Sequence, residues 1–230
     1  MKHYLIYYIT TNTYINYADT FFTSLSNFMP NNLIDVIWLS DNFISIQQNN
    51  NINIIQKYIV DMPWPLVTLL KMHYIYNNKL SAYDGYFYFN ANSIIHKMSD
   101  NAINIINDSL KNNKFICSYH SFHPLSQFHD NKLYCQAGFF GGNYQVFYDI
   151  CNKCVNKIND YLQTRYIPKY HDETVLNEVI SELSSTYSDD ILTFKGFMKF
   201  YDLKDININN DPYYFIELGN GQYKKYKTYQ

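Results

Sequence analysis

Over the first hundred residues the chain switches between short strand-like apolar runs and longer stretches at helical spacing, the pattern of a sheet with covering helices. Tyr4 to Thr10 is a near-continuous apolar run that predicts a buried strand. Tyr14 to Phe28 places Ala18, Phe21, Phe22, Leu25 and Phe28 at helical spacing, and Pro30 with Asn31 and Asn32 ends it. Leu33 to Leu39 predicts the next strand, and the Asn-rich stretch from Gln47 to Asn53 a surface connection before a strand around Ile54 to Val60. Pro65 suits the first turn of a helix running through Leu66, Leu69, Leu70 and His73. Gly85 to Phe89 is aromatic at every position after the glycine, which predicts a strand buried on both faces. Further on, Asn143 to about Leu162 and Asp172 to about Leu183 predict helices, the second capped by Asp172.

Composition adds one local contrast. Only 7 of the 230 residues are Gly, and Ala137 to Gly142 contains three of them, which predicts a tight turn or a close approach to a ligand. The 25 Tyr and 16 Phe, with the abundant Asn and Ile, have the character of AT-rich codon bias. The length suits a single domain, 1–230. A net charge of −2 and 17 % charged residues disfavour nucleic acid as a partner. No apolar run reaches the roughly eighteen residues of a membrane span, and no cleavable leader is recognisable, so a cytoplasmic chain is expected. Cys151 and Cys154 form either half of a zinc or redox pair or a helical packing pair, and the absence of a second pair favours packing.

Four segments in order resemble glycosyltransferase family 6, which includes the blood-group A and B transferases and the α-1,3-galactosyltransferases. These are Trp64-Pro-Leu-Val-Thr-Leu-Leu-Lys-Met72, Tyr86-Phe-Tyr-Phe-Asn-Ala-Asn92, Gln136-Ala-Gly-Phe-Phe-Gly-Gly142 and Tyr170-His-Asp-Glu-Thr-Val-Leu-Asn177. The Asn90-x-Asn92 form is similar to that of the bacterial branch, where the animal enzymes carry Asp-x-Asp. The resemblance implies an α/β fold of the GT-A type, a single mixed sheet flanked by helices. It also implies a retaining transfer of N-acetylgalactosamine or galactose from UDP to a β-galactoside hydroxyl in α-1,3 linkage, the chemistry of histo-blood-group-like antigens.

The same resemblance assigns residues. Tyr8, Ile9 and Thr10 receive uracil and ribose through their backbone, with Tyr14 nearby; for Tyr14, one more aromatic on a helix face is an equal reading. Lys71, Asn90, Gln136, Ala137, Gly138 and Asp172 surround the donor sugar, and Gly138 leaves room for an N-acetyl group, which favours UDP-N-acetylgalactosamine over UDP-galactose. Glu173 is the catalytic carboxylate; on charge pattern alone, Asp172 and Glu173 would merely favour a helix start. Asn90 and Asn92 offer neutral amides where carboxylates would hold a divalent ion, so no metal and no other cofactor are expected. Lys225 and Lys227, in a basic tail spanning 222–230, would then neutralise the diphosphate, unless the tail is simply solvated.

The acceptor region departs most from the family. Cys117-Ser-Tyr-His-Ser-Phe-His-Pro124 stands where its acceptor motifs are expected, leaving His123 as a candidate contact, and Tyr170 replaces a Trp. Two other classes therefore stay open: a hydrolase that uses water in place of the acceptor, and a silent carbohydrate- or nucleotide-binding relative.

Overall fold

The computed structural model describes residues 1–47, 49–119, 134–186, 192–195, 197–200 and 212–218. Among these, the parallel strands β1 (His3–Thr10), β2 (Leu33–Ser40), β3 (Ile52–Tyr58) and β4 (Gly85–Phe89) join the antiparallel β7 (Cys135–Gly142). With β6 (Phe115–Tyr119) and β8 (Leu192–Lys195) they form a mixed seven-stranded sheet of order β3-β2-β1-β4-β7-β6-β8. This is an α/β architecture compatible with a Rossmann-like fold.

The alternation of side chains along a strand sorts β1 and β4 between two cores. Tyr4, Ile6, Tyr8, Phe87 and Phe89 face one side, where they meet α1 (Ala18–Ser24) and α4 (Asp100–Lys111). Leu5, Tyr7, Ile9, Tyr86 and Tyr88 face the other, covered by α3 (Lys71–Asn77), α5 (Tyr144–Gln163) and α6 (His171–Thr186). The buried tyrosines do more than fill space, because their hydroxyls find acceptors at the edge of the core. Tyr7 donates to the Asn78 carbonyl at 2.8 Å and Tyr8 to the Ala91 carbonyl at 2.7 Å.

Several expectations change. The sheet is not single: β5 (Ser93–Ile95), β9 (Met198–Phe200) and β10 (Ile216–Leu218) form a separate three-stranded sheet whose Ile95, Met198 and Ile216 pack into the first core. The helix expected over Tyr14 to Phe28 is divided into a 3-10 turn at Asn12–Tyr17, α1, and a second 3-10 turn at Leu25–Asn27. Asn and Thr side chains compete for the backbone bonds of a helix, and they crowd its start. The helix after Pro65 is likewise broken at Leu70 into α2 (Leu66–Leu69) and α3, which puts Lys71 at the first position of α3.

The glycine segment is a strand, β7, rather than a loop. Its pairing jumps from Cys117↔Phe140 to Ser118↔Gln136, so Ala137, Gly138 and Phe139 form a bulge opposite a single step of β6. Gly141 is required by packing: a Cβ there would stand 2.3 Å from Phe87 Cδ1. Helix α5 forms as expected, its start capped by the Asn143 side chain accepting from Val146 N–H at 3.1 Å.

Candidate functional site

From β1 the chain moves outward to β2 and β3, then returns to place β4 on the opposite flank of β1. The carboxyl ends of β1 and β4 therefore border a topological switch point, where open α/β sheets bind ligands. A cleft of about 860 Å³ opens there, a size suited to a nucleotide-sized ligand. Of the sequence-predicted residues, Ile9, Tyr14, Lys71 and Asn90 line it.

The structure separates the other predictions. Tyr8 is fully buried with its ring stacked 3.9 Å from Phe21, and its side chain belongs to the core. Thr10 accepts from the Trp38 indole at 2.8 Å and donates to Ser40 at 3.1 Å, so its hydroxyl is occupied within the fold. Asn92 is buried behind Asn90, whose amide nitrogen donates to the Asn92 carbonyl oxygen at 2.8 Å. Tyr88, unassigned in the sequence, lines the cleft and reaches Asn90 Oδ1 with its hydroxyl at 3.4 Å.

Beside the cleft lies a buried charged cluster. Lys71 Nζ meets Asp172 Oδ2 at 2.5 Å, donates to the Ala137 carbonyl at 2.8 Å and sits 4.5 Å from the centre of the Tyr88 ring. Burial alone would lower the Lys71 pKa, but Asp172, Tyr88 and Glu173 hold it above the ordinary value. Helix α6 begins at His171, so Asp172 lies within the first turn and spends its carboxylate on Lys71 instead of capping the helix.

Glu173 follows on the same turn. Burial, reinforced by the charge of Asp172, raises its carboxyl to about 7, while the Tyr134 hydroxyl, Lys71 and the Ala137 N–H oppose the rise. Gln136 and Ala137 are buried in β7, and the Gly138 carbonyl accepts from Asn90 N–H at 2.8 Å, which ties the bulge to the cleft. The space expected beside Gly138 is filled: a Cβ there would lie 3.0 Å from the sulfur of Met198. The volume argument for an N-acetyl group therefore loses its basis.

Three further residues lie in the segments that carry the family resemblance but have no role assigned from the sequence. Trp64 is two-thirds exposed at the cleft and lies 4.8 Å, centre to centre, from the His171 ring. His171 adopts a left-handed φ of 51°, and its buried Nε2 has no hydrogen-bond partner among the described residues. Asn177 bridges α6 and β7 through its side-chain amide.

Tyr170 precedes this cluster and does not line the cleft; the Lys169 ammonium lies 5.4 Å from its ring centre. His123, Lys225 and Lys227, with the whole 222–230 tail, lie outside the described residues. Cys151 and Cys154 are buried in the second core, where burial pushes both thiols well up, in keeping with packing rather than redox or metal chemistry. No helix among the described residues is long and apolar enough to cross a membrane. Comparison of the chain with the models of known protein families and with curated proteins finds no match.

Proposed function

We propose that the protein is a retaining glycosyltransferase of the GT-A type that takes N-acetylgalactosamine or galactose from UDP and passes it to a β-galactoside hydroxyl in α-1,3 linkage, without a metal. The observation that carries this reading is the placement of the buried Lys71–Asp172 pair and Glu173 beside a switch-point cleft. In it, the nucleotide lies along the carboxyl ends of β1 and β4, against Ile9, Tyr14 and Asn90. The sugar points toward Asp172 and Glu173.

Glu173 then serves in one of two ways. As a nucleophile, its carboxylate oxygen bonds to the anomeric carbon while the bond to UDP breaks and its electron pair leaves on the β-phosphate. The acceptor hydroxyl next displaces the carboxylate, which is released as the free anion, and passes its proton to the UDP phosphate freed in the first step, with net retention. Alternatively the acceptor attacks from the face UDP leaves, its proton passing to the departing phosphate, and Glu173 balances the positive charge on the sugar. Both routes need the ionised carboxylate. Asn90 and Asn92, already bonded to each other, supply amides where a cation would need charged oxygens, and Lys225 and Lys227 are the cations assigned to the leaving diphosphate.

The test incubates the purified protein with UDP-N-acetylgalactosamine or UDP-galactose, with and without lactose, in excess chelator. Lactose-dependent UDP release and an α-linked product by NMR are expected. Release independent of lactose makes the protein a hydrolase, and no release with either donor overturns the reading. Activity lost on chelation and restored by a divalent ion removes the metal-free part.

A further inference from the structure

We infer that Asn177 is a positioning residue that sets the catalytic turn of α6 against the bulged start of β7; the inference rests on the transferase reading above. Its side chain makes three hydrogen bonds, two across this junction and one back to the first turn of its own helix. Oδ1 accepts from the Cys135 N–H at 2.7 Å, while Nδ2 donates to the Cys135 carbonyl and to the Glu173 carbonyl, each at 2.8 Å. Exchanging the amide oxygen and nitrogen would set like groups against each other at all three contacts, so the network fixes the amide's orientation.

Cys135 lies just before Gln136, Ala137 and Gly138, at an end of β7 that β4 does not reach: β4 pairs with β7 only from Phe139 to Gly142. One side chain therefore engages both main-chain groups of a strand residue, as a neighbouring strand would. Asn177 is buried, so these backbone groups have no ready replacement from water. Because the same amide also holds the Glu173 carbonyl, the distance from the catalytic turn to the segment around the donor sugar is set by one planar group. Lys71 makes a second tie between the same two elements, from the Asp172 carboxylate to the Ala137 carbonyl. The hydrogen bonds of the Asn177 side chain go to α6 and β7, and not to β1 or β4.

The experiment compares wild type, Asn177→Ala and Asn177→Asp as full chains. It records UDP release from the two donors, UDP affinity by calorimetry, and thermal unfolding. The aspartate keeps the volume and the bond from Cys135 N–H but loses both donated bonds. Both variants are expected to fold and to lose about 10²-fold in kcat, the scale of a misplacement of roughly 1 Å, with UDP affinity changed less than about threefold. A folded alanine variant with near-normal kcat overturns the inference. So does a parallel loss of kcat and UDP affinity, or failure of both variants to fold, since either makes Asn177 a general stability residue. Absence of turnover by the wild type with both donors is a separate outcome, which overturns the transferase reading and removes the reaction for which Asn177 would position anything.

Discussion

The strand ends that border the cleft and the α6–β7 cluster beside it are built on opposite principles. At the ends of β1 and β4 the side chains are neutral and paired: Thr10 with Trp38 and Ser40, Asn90 with Asn92. On the α6–β7 side, charge is buried and satisfaction is incomplete. Lys71 and Asp172 are almost fully enclosed, Glu173 is pushed up to about 7, and Gln136 Oε1 and His171 Nε2 are buried without partners among the described residues. A side that only holds a ligand can be as relaxed as any core. A side that stabilises a changing charge must keep polar groups out of water, and it gives up stability to do so.

Substitutions on each side sharpen or break this contrast. The largest effect is expected at Glu173: Glu173→Gln should lower transfer roughly 10⁴-fold, the scale for loss of an essential catalytic group, with UDP affinity by calorimetry nearly unchanged. Near-normal turnover would remove Glu173 from its role and the contrast with it.

Next comes Lys71→Met, which leaves the buried Asp172 carboxylate unpaired and should cost about 3–5 kcal/mol in urea unfolding. Adding Asp172→Leu should recover most of that loss while activity stays absent. A double variant no more stable than the single one would mean that the pair contributes more than mutual charge compensation.

A smaller effect is the pH dependence of stability. The folded state raises the Glu173 pKa from about 4.5 to about 7, so between these values the native protein holds a proton that the unfolded chain releases. The corresponding stability is complete below about pH 4.5 and is lost as pH rises through about 7. Glu173→Gln should match wild type at pH 4.5 and exceed it at pH 8 by at most about 3 kcal/mol, judged from denaturant midpoints. Equal pH profiles would show that Glu173 is solvated in the folded protein.

The smallest effect lies on the neutral side. Thr10→Val removes the hydroxyl between Trp38 and Ser40 and should cost about 1–2 kcal/mol, read in the same unfolding assay. A fall in turnover exceeding this loss would mean that the hydroxyl reaches the ligand after all.

Much of this was legible in the sequence where the signal is local. Strand β4 and helix α5 stand close to where hydrophobic period puts them, because their own residues decide them. Lys71, Asp172 and Glu173 were also readable as a group from the ordered segments in which they occur. What escaped depends on pairing between distant residues. The three-residue strands β5, β9 and β10 have no pattern of their own and exist only through one another. The glycine-rich segment announced an unusual backbone, but whether it would be a loop or a bulged strand depended on β6 supplying the register shift. The room imagined beside Gly138 was taken by Met198, sixty residues further along.

The Lys71–Asp172 pair also constrains the order in which the chain can mature. The strands that border the cleft are complete by Asn90, and parallel pairing of β1 with β2 and β4 can begin while the rest of the protein is still being synthesised. Lys71 cannot be buried at low cost until its carboxylate, about a hundred residues later, has been made and α6 has docked. Until then the ammonium favours water, and the second core stays open at α3. Closure of that core is thereby conditional on the arrival of the first turn of α6, so a chain truncated before α6 would be marked by an exposed, cationic seam instead of passing for a finished fold.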